Sequence, residues 1–138
     1  MLKKNYILAI DEGRKSVGIA ITDISGKIPF PYKTVRRNQA LNFISSVVKE
    51  REIVLVLIGL PFNVDGSKGF RYIEVINFAK LIKKECNIIV KGIDERYSTE
   101  DAKELLKKTP GKKHYDMDSM SAYVILKRFI DNEKTIDI

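Results

Sequence analysis

Ile7-Leu8-Ala9-Ile10, Val17 to Thr22 and Ile53 to Ile58 are aliphatic stretches with few or no polar members. Runs of this length, rich in β-branched residues and bounded by turn formers, predict strands covered on both faces. Lys27 to Val35 is also extended, but Pro29 and Pro31 suit the edge of a sheet rather than its centre. Ile88 to Ile93 predicts one more strand. Elsewhere the apolar period lengthens to that of a helix. Leu41, Ile44, Val47 and Val48 lie opposite Asn42, Ser45, Lys49 and Glu50, with Asn38 as the expected cap. From Phe70, an apolar face of Tyr72, Val75, Ile76, Ala79 and Ile82 opposes Arg71, Glu74, Asn77, Lys80 and Lys84. Ser98-Thr99-Glu100-Asp101 resembles a capping box that opens a helix through Ala102, Leu105 and Leu106. The last helix, expected from Asp116, buries Ala122, Ile125, Leu126 and Phe129.

The predicted order is β-β-β-α-β-α-β-α-α. It gives an α/β fold: a mixed five-stranded sheet, three antiparallel strands followed by alternating helices and strands, with helices on both faces. Residues 1–138 are read as one domain, and Asp131 to Ile138 as a frayed end.

Acidic residues recur where these elements end. Asp11 follows the first strand and shares a face with Ile7 and Ala9, a costly place for an unpaired charge. Asp94 and Glu95 end the last strand; they face opposite sides, so one of them enters any common site, and the longer Glu95 is preferred. Asp118 lies one turn before Ala122 on the inward stripe of the last helix, where a capping role belongs to Asp116 instead. Glu100 and Asp101 are accounted for by the helix dipole. If the three acids converge, their oxygens, with no His or Cys cluster beside them, form a set of hard ligands suited to Mg²⁺ or Mn²⁺.

Other groups could serve such a site. Arg14 and Lys15 place cations on the Gly13 turn. The Pro61 to Gly69 stretch, with Asn63 and Ser67, reads as a mobile loop at a strand's carboxyl end, where open α/β sheets bind ligands; it either closes over a substrate or is a plain connector. Arg96 either contacts phosphate or neutralises its acidic neighbours. Glu12 is either a group supporting the metal site or a solvated turn residue, and His114 a phosphate contact, a proton donor or simply exposed.

Lys and Arg outnumber Asp and Glu by 25 to 18, a net charge of +7 that favours a polyanionic partner. No apolar run is long enough to span a bilayer. Met1 to Asn5 leads directly into the first strand without the apolar segment of a signal peptide, and the single cysteine, Cys86, permits no internal disulfide. A cytoplasmic protein is expected.

Ile10-Asp11-x-Gly13, Val17-Gly18-Ile19-Ala20-x-x-Asp23, Ile58-Gly59-Leu60-Pro61-x-Asn63-x-Asp65-Gly66-Ser67, Asp94-Glu95-Arg96-x-Ser98-Thr99-x-x-Ala102 and Asp118-Ser119-x-Ser121-Ala122 together resemble the YqgF/RuvX family. The likeness covers almost the whole chain in order. It implies an RNase H-like fold related to the RuvC resolvases and a metal-dependent nuclease with Asp11, Glu95 and Asp118 as its acidic triad. It also implies 5′-end processing of precursor 16S ribosomal RNA, hence a structured RNA partner.

Three other readings stand beside this one. Resolution of branched, four-way DNA would require paired sites and so a homodimer, whereas RNA processing is open to a monomer. Asp11 to Ser16 also resembles a phosphate loop of the actin and hexokinase superfamily, but that architecture needs two such domains. A nucleic-acid binding module without turnover would have the same charge.

Overall fold

The computed structural model describes residues 3–108 and 116–138. Thr109 to His114, including Lys112, Lys113 and His114, therefore lies outside the described residues. The chain runs β1 (Tyr6–Glu12), β2 (Ser16–Thr22), β3 (Pro29–Arg36), α1 (Arg37–Glu50), β4 (Ile53–Leu60), α2 (Phe70–Cys86), β5 (Val90–Asp94), α3 (Ser98–Lys108), α4 (Met117–Ile130) and β6 (Ile136–Asp137). The strands form one sheet in the order β3-β2-β1-β4-β5-β6. β1, β2 and β3 are antiparallel neighbours, whereas β4 runs parallel to both β1 and β5.

Alternation along the strands divides the core. Leu8, Ile10, Val17, Ile19, Val56 and Ile58 point toward α1 and α2. Ile7, Ala9, Ala20, Leu57 and Ile93 point the other way, onto Ala122, Ile125 and Leu126 of α4. Each unbroken aliphatic run thus serves two apolar layers at once. Continuing the alternation one residue further puts Asp11 on the α4 face, with Ile7 and Ala9.

Some local expectations are corrected. The sheet has a sixth strand: Ile136 pairs with Gly92 and Asp137 with Lys91, so the tail is not wholly frayed. Asn38 does not cap α1; the helix starts at Arg37 behind an extended Arg36 that makes no side-chain cap, because β3 runs directly into it. Ser98 is the first residue of α3 rather than its cap, and Tyr97 before it takes φ +66°. The Pro61 to Gly69 stretch is closed into a tight turn, with Asn63 N–H donating to Ser67 O (2.9 Å), Gly66 N–H to Asn63 O (2.8 Å), and Phe62 bridging Lys68. Among the described residues no helix is long and apolar enough to cross a membrane.

Gly18 sets how closely α4 approaches the sheet. A Cβ there would overlap the backbone carbonyl of Asp118 and lie 3.0 Å from Ser119 N. Gly18→Ala must push the start of α4 off β2. A loss of about 1–3 kcal/mol in urea unfolding is expected.

Candidate active site

Asp11 is brought out at the end of β1, and Glu95 directly after β5. β4 separates the two strands, and its glycine Gly59 leaves the space: a Cβ there would stand 2.5 Å from Ile125 Cδ1 and 3.0 Å from Glu95 Oε2. Glu95 N–H donates to Leu60 O (3.1 Å), which fixes the chain as it leaves the sheet. Across this gap the Asp11 and Glu95 carboxyl groups share a hydrogen bond. Burial, the charge of Asp11 and that hydrogen bond push the Glu95 carboxyl up to about 9. Burial also raises Asp11; the hydrogen bond from Glu95 pulls it back, and the charges of Asp118 and Glu12 raise it again. Both carboxyls are therefore raised, by burial first, and the pair holds on to a proton that separate solvated acids would release.

Asp118 lies in the first turn of α4. Asp116 caps that helix, accepting from Ser119 N–H (2.9 Å) and from Thr34 Oγ1 (2.7 Å). Asp118 is thereby free for another partner, and Ser16 Oγ donates to its Oδ2 (2.6 Å). Its charge raises Asp11, but Asp118 does not line the cleft of about 450 Å³ that Asp11 and Glu95 share with Phe62, Arg71, Arg96 and Tyr97. Among the described residues no three acidic, His or Cys side chains already form a metal cage.

A divalent cation nevertheless fits the chemistry of the donors. Asp11 and Glu95 are half-buried acids whose mutual repulsion is relieved by retaining a proton, and hard carboxylate oxygens are what Mg²⁺ or Mn²⁺ prefers. Asp118 would complete the set by exchanging its Ser16 contact for the ion.

Asp94 is not the residue that meets Asp11. Burial pushes its carboxyl up, but hydrogen bonds from Arg96 outweigh this and hold it below the usual carboxylate range. Arg96 gives Asp94 its Nε (2.8 Å), Nη2 (2.6 Å) and backbone N–H (2.9 Å). Arg96 neutralises this acidic neighbour while still lining the cleft. Asn63 and Ser67 bond each other, Nδ2 to Oγ at 2.9 Å, and are absent from the cleft lining. Arg14 is mostly exposed and pairs with Glu74 (3.0 Å); Lys15 is exposed.

Of the two readings of Glu12, the solvated turn residue is ruled out, because Glu12 is buried. Its side chain is 3% exposed, paired with Arg71 (2.9 Å) and 3.9 Å from Arg37. Arg71 also donates to Glu12 O (2.6 Å), so α2 holds the end of β1 by both backbone and side chain. The positive charge of Arg71 acts on both Asp11 and Glu95, lowering each. The helical pattern marked Arg71 only as a polar-face residue. Its role depends on α2 packing beside β1, which periodicity does not encode.

Arg128 was missed altogether. It is largely buried and donates to Asp94 O (2.7 Å), Arg96 O (2.9 Å) and Asp101 Oδ2 (2.9 Å), tying the turn that carries Glu95 to α4. Its one sequence signal was a cation three residues beyond Ile125 on an otherwise apolar stripe. Arg128→Ala is expected to weaken Mn²⁺ binding about tenfold in titration calorimetry, as for other groups that orient metal ligands. Arg128→Lys, which can restore only part of the clamp, should fall between.

A mixed sheet of this order, bearing acids at the ends of β1 and β5 and at the start of α4, defines an RNase H-like scaffold. The structure of T. thermophilus RuvC in complex with a Holliday junction substrate shares that fold, with a TM-score of 0.59 and 11% identity over 96% of this chain and 99% of that one. The chain belongs to the RuvX family, described as Holliday junction resolvase, whose model matches residues 5–132. A protein of Crocosphaera subtropica named "Putative pre-16S rRNA nuclease" is 32% identical over 92% of this chain and 93% of its own length. One of the same name from Caldanaerobacter subterraneus subsp. tengcongensis is 32% identical over 93% and 97%.

Proposed function

We propose that this protein is a metal-dependent nuclease that hydrolyses phosphodiester bonds in precursor 16S ribosomal RNA. The observation that carries the reading is the meeting of Asp11 and Glu95 across Gly59 at the wall of one open cleft in a RuvX-family chain. Asp11, Glu95 and Asp118 would hold Mg²⁺ or Mn²⁺. Such an ion activates a water and stabilises the leaving oxygen of an in-line displacement. Loading it requires Glu95 to give up its proton, so affinity rises with pH. Arg71 and Arg96, anchored by Glu12 and Asp94, keep positive charge at the cleft wall without entering the acid pair. The excess of cations over the whole chain draws in the phosphate backbone. Lys15, exposed on the β1–β2 turn, is the simplest nearby phosphate contact, and Arg14 becomes one by leaving Glu74.

A second reading, cleavage of four-way DNA junctions, is favoured by the family's description and by the RuvC fold likeness. It requires two copies acting together, whereas RNA processing is open to one. Incubating the purified chain, with and without Mn²⁺, with precursor 16S RNA and with synthetic four-way junctions separates the two. Metal-dependent shortening of the RNA's 5′ side with intact junctions is expected. Symmetric junction cleavage with untouched RNA would reverse the assignment, and no cleavage of either would overturn both.

A further inference from the structure

The edge strand β3 carries a cluster that the acidic site does not use. On its α1-facing side, Phe30 is 46% exposed and Tyr32 is 38% exposed. Their direction follows from register: Phe30 pairs with Ile21, and a bulge between Ile19 and Ala20 of β2 brings both Tyr32 and Lys33 over α1. Tyr32 lies 6.3 Å from the Phe43 ring at 34°. Lys33 Nζ stands 5.1 Å from the centre of Phe43, and the Arg51 guanidinium 5.6 Å from that of Tyr32. Neither cation forms an ion pair with an acid among the described residues.

We infer that this surface binds an unpaired stretch of RNA, stacking bases on Phe30 and Tyr32 and taking their phosphates on Lys33 and Arg51. Flat exposed rings interleaved with cations that lack acidic partners match single-stranded nucleic acid, whose bases offer π-faces and whose backbone supplies the missing negative charge. A second copy docking face to face would bring the same cations together, which opposes self-association. Asp11 lies on the α4 face, opposite the platform, so bound bases here do not meet the reacting phosphate. They hold single-stranded RNA that flanks the cleavage point. The identity of that RNA rests on the proposed nuclease reading; the platform's affinity for single strands does not.

The test is fluorescence-anisotropy binding of a short oligouridine RNA without Mn²⁺, in the full chain carrying Asp11→Asn to prevent cleavage. Adding Phe30→Ala and Tyr32→Ala should lower affinity about tenfold or more. Adding Lys33→Glu and Arg51→Glu instead, at exposed positions that keep the rings, should lower it similarly and flatten its salt dependence. A blunt-ended RNA duplex should bind less tightly and respond less to removal of the rings. Unchanged oligouridine affinity in both folded variants would overturn the inference, as would a loss confined to dimer formation in sedimentation. If the wild-type chain cuts no nucleic acid yet both variants lose oligouridine binding, the nuclease reading fails and the platform stands.

Discussion

Asp11→Asn and Glu95→Gln are each expected to lower metal-dependent cleavage about a thousandfold or more while leaving the fold intact. An ion's stabilisation of the transition state amounts to several kcal/mol, and each ~1.4 kcal/mol is a factor of ten in rate. If Asp11 and Glu95 hold the ion as proposed, losing either one would forfeit most of it. Asp118→Asn is expected to fall in the same range, since its carboxylate is the third hard donor within electrostatic reach of Asp11. Single-turnover cleavage at saturating Mn²⁺ checks this. Retained cleavage in any two of the three variants would break the triad assignment, and a lost circular-dichroism transition would show unfolding instead.

The second large effect is on the metal-free protein's stability. Glu95 ionises near 4.5 when unfolded and near 9 when folded, so between these values the folded state holds a proton that the unfolded state has released. The stability it contributes is complete below about pH 4.5 and is lost as pH rises through 9. Asp11, also raised, adds in the same direction. Asp94 and Asp116 are held below 3.8, so their contributions are lost only in acid and leave the neutral-to-alkaline slope untouched. Glu95→Gln should flatten that slope and raise the Tm at pH 8 by about 5 °C, each kcal/mol being worth about 2–8 °C at this chain length. Mn²⁺ should raise the wild-type Tm far more at pH 8 than at pH 5 and have little effect on the variant. Thermal scans across pH measure both.

β1, β2 and β4 were legible because each buries two faces, which leaves unbroken aliphatic runs that few other elements produce. The acids were legible in part for a related reason: parity along the strand puts Asp11 on a definite side, whereas for the last strand it said only that one of Asp94 and Glu95 turns inward, and Glu95 was preferred for its length. Asp118 was separable from Asp116 because a cap and an inward-facing position differ in helical phase. What sequence did not show depends on packing between elements. Glu12 stayed open between a supporting group and a solvated turn residue because nothing local reveals that α2 lays Arg71 across it. Arg128 reaches back to the turn after β5 from a different helix. β6 has two residues, too few for any period, and is held by pairing with β5. The Pro61 to Gly69 turn was recognised by composition, but its closure rests on cross-turn hydrogen bonds that composition does not rank.

Mn²⁺ titration calorimetry on the wild-type chain, Asp11→Asn and Glu95→Gln, repeated at pH 6 and pH 8, tests most directly whether these two half-buried acids form a cation site. Binding to wild type that tightens with pH, with proton release, and that disappears in both variants is the predicted result. Mn²⁺ binding of equal strength in wild type and both variants would contradict it.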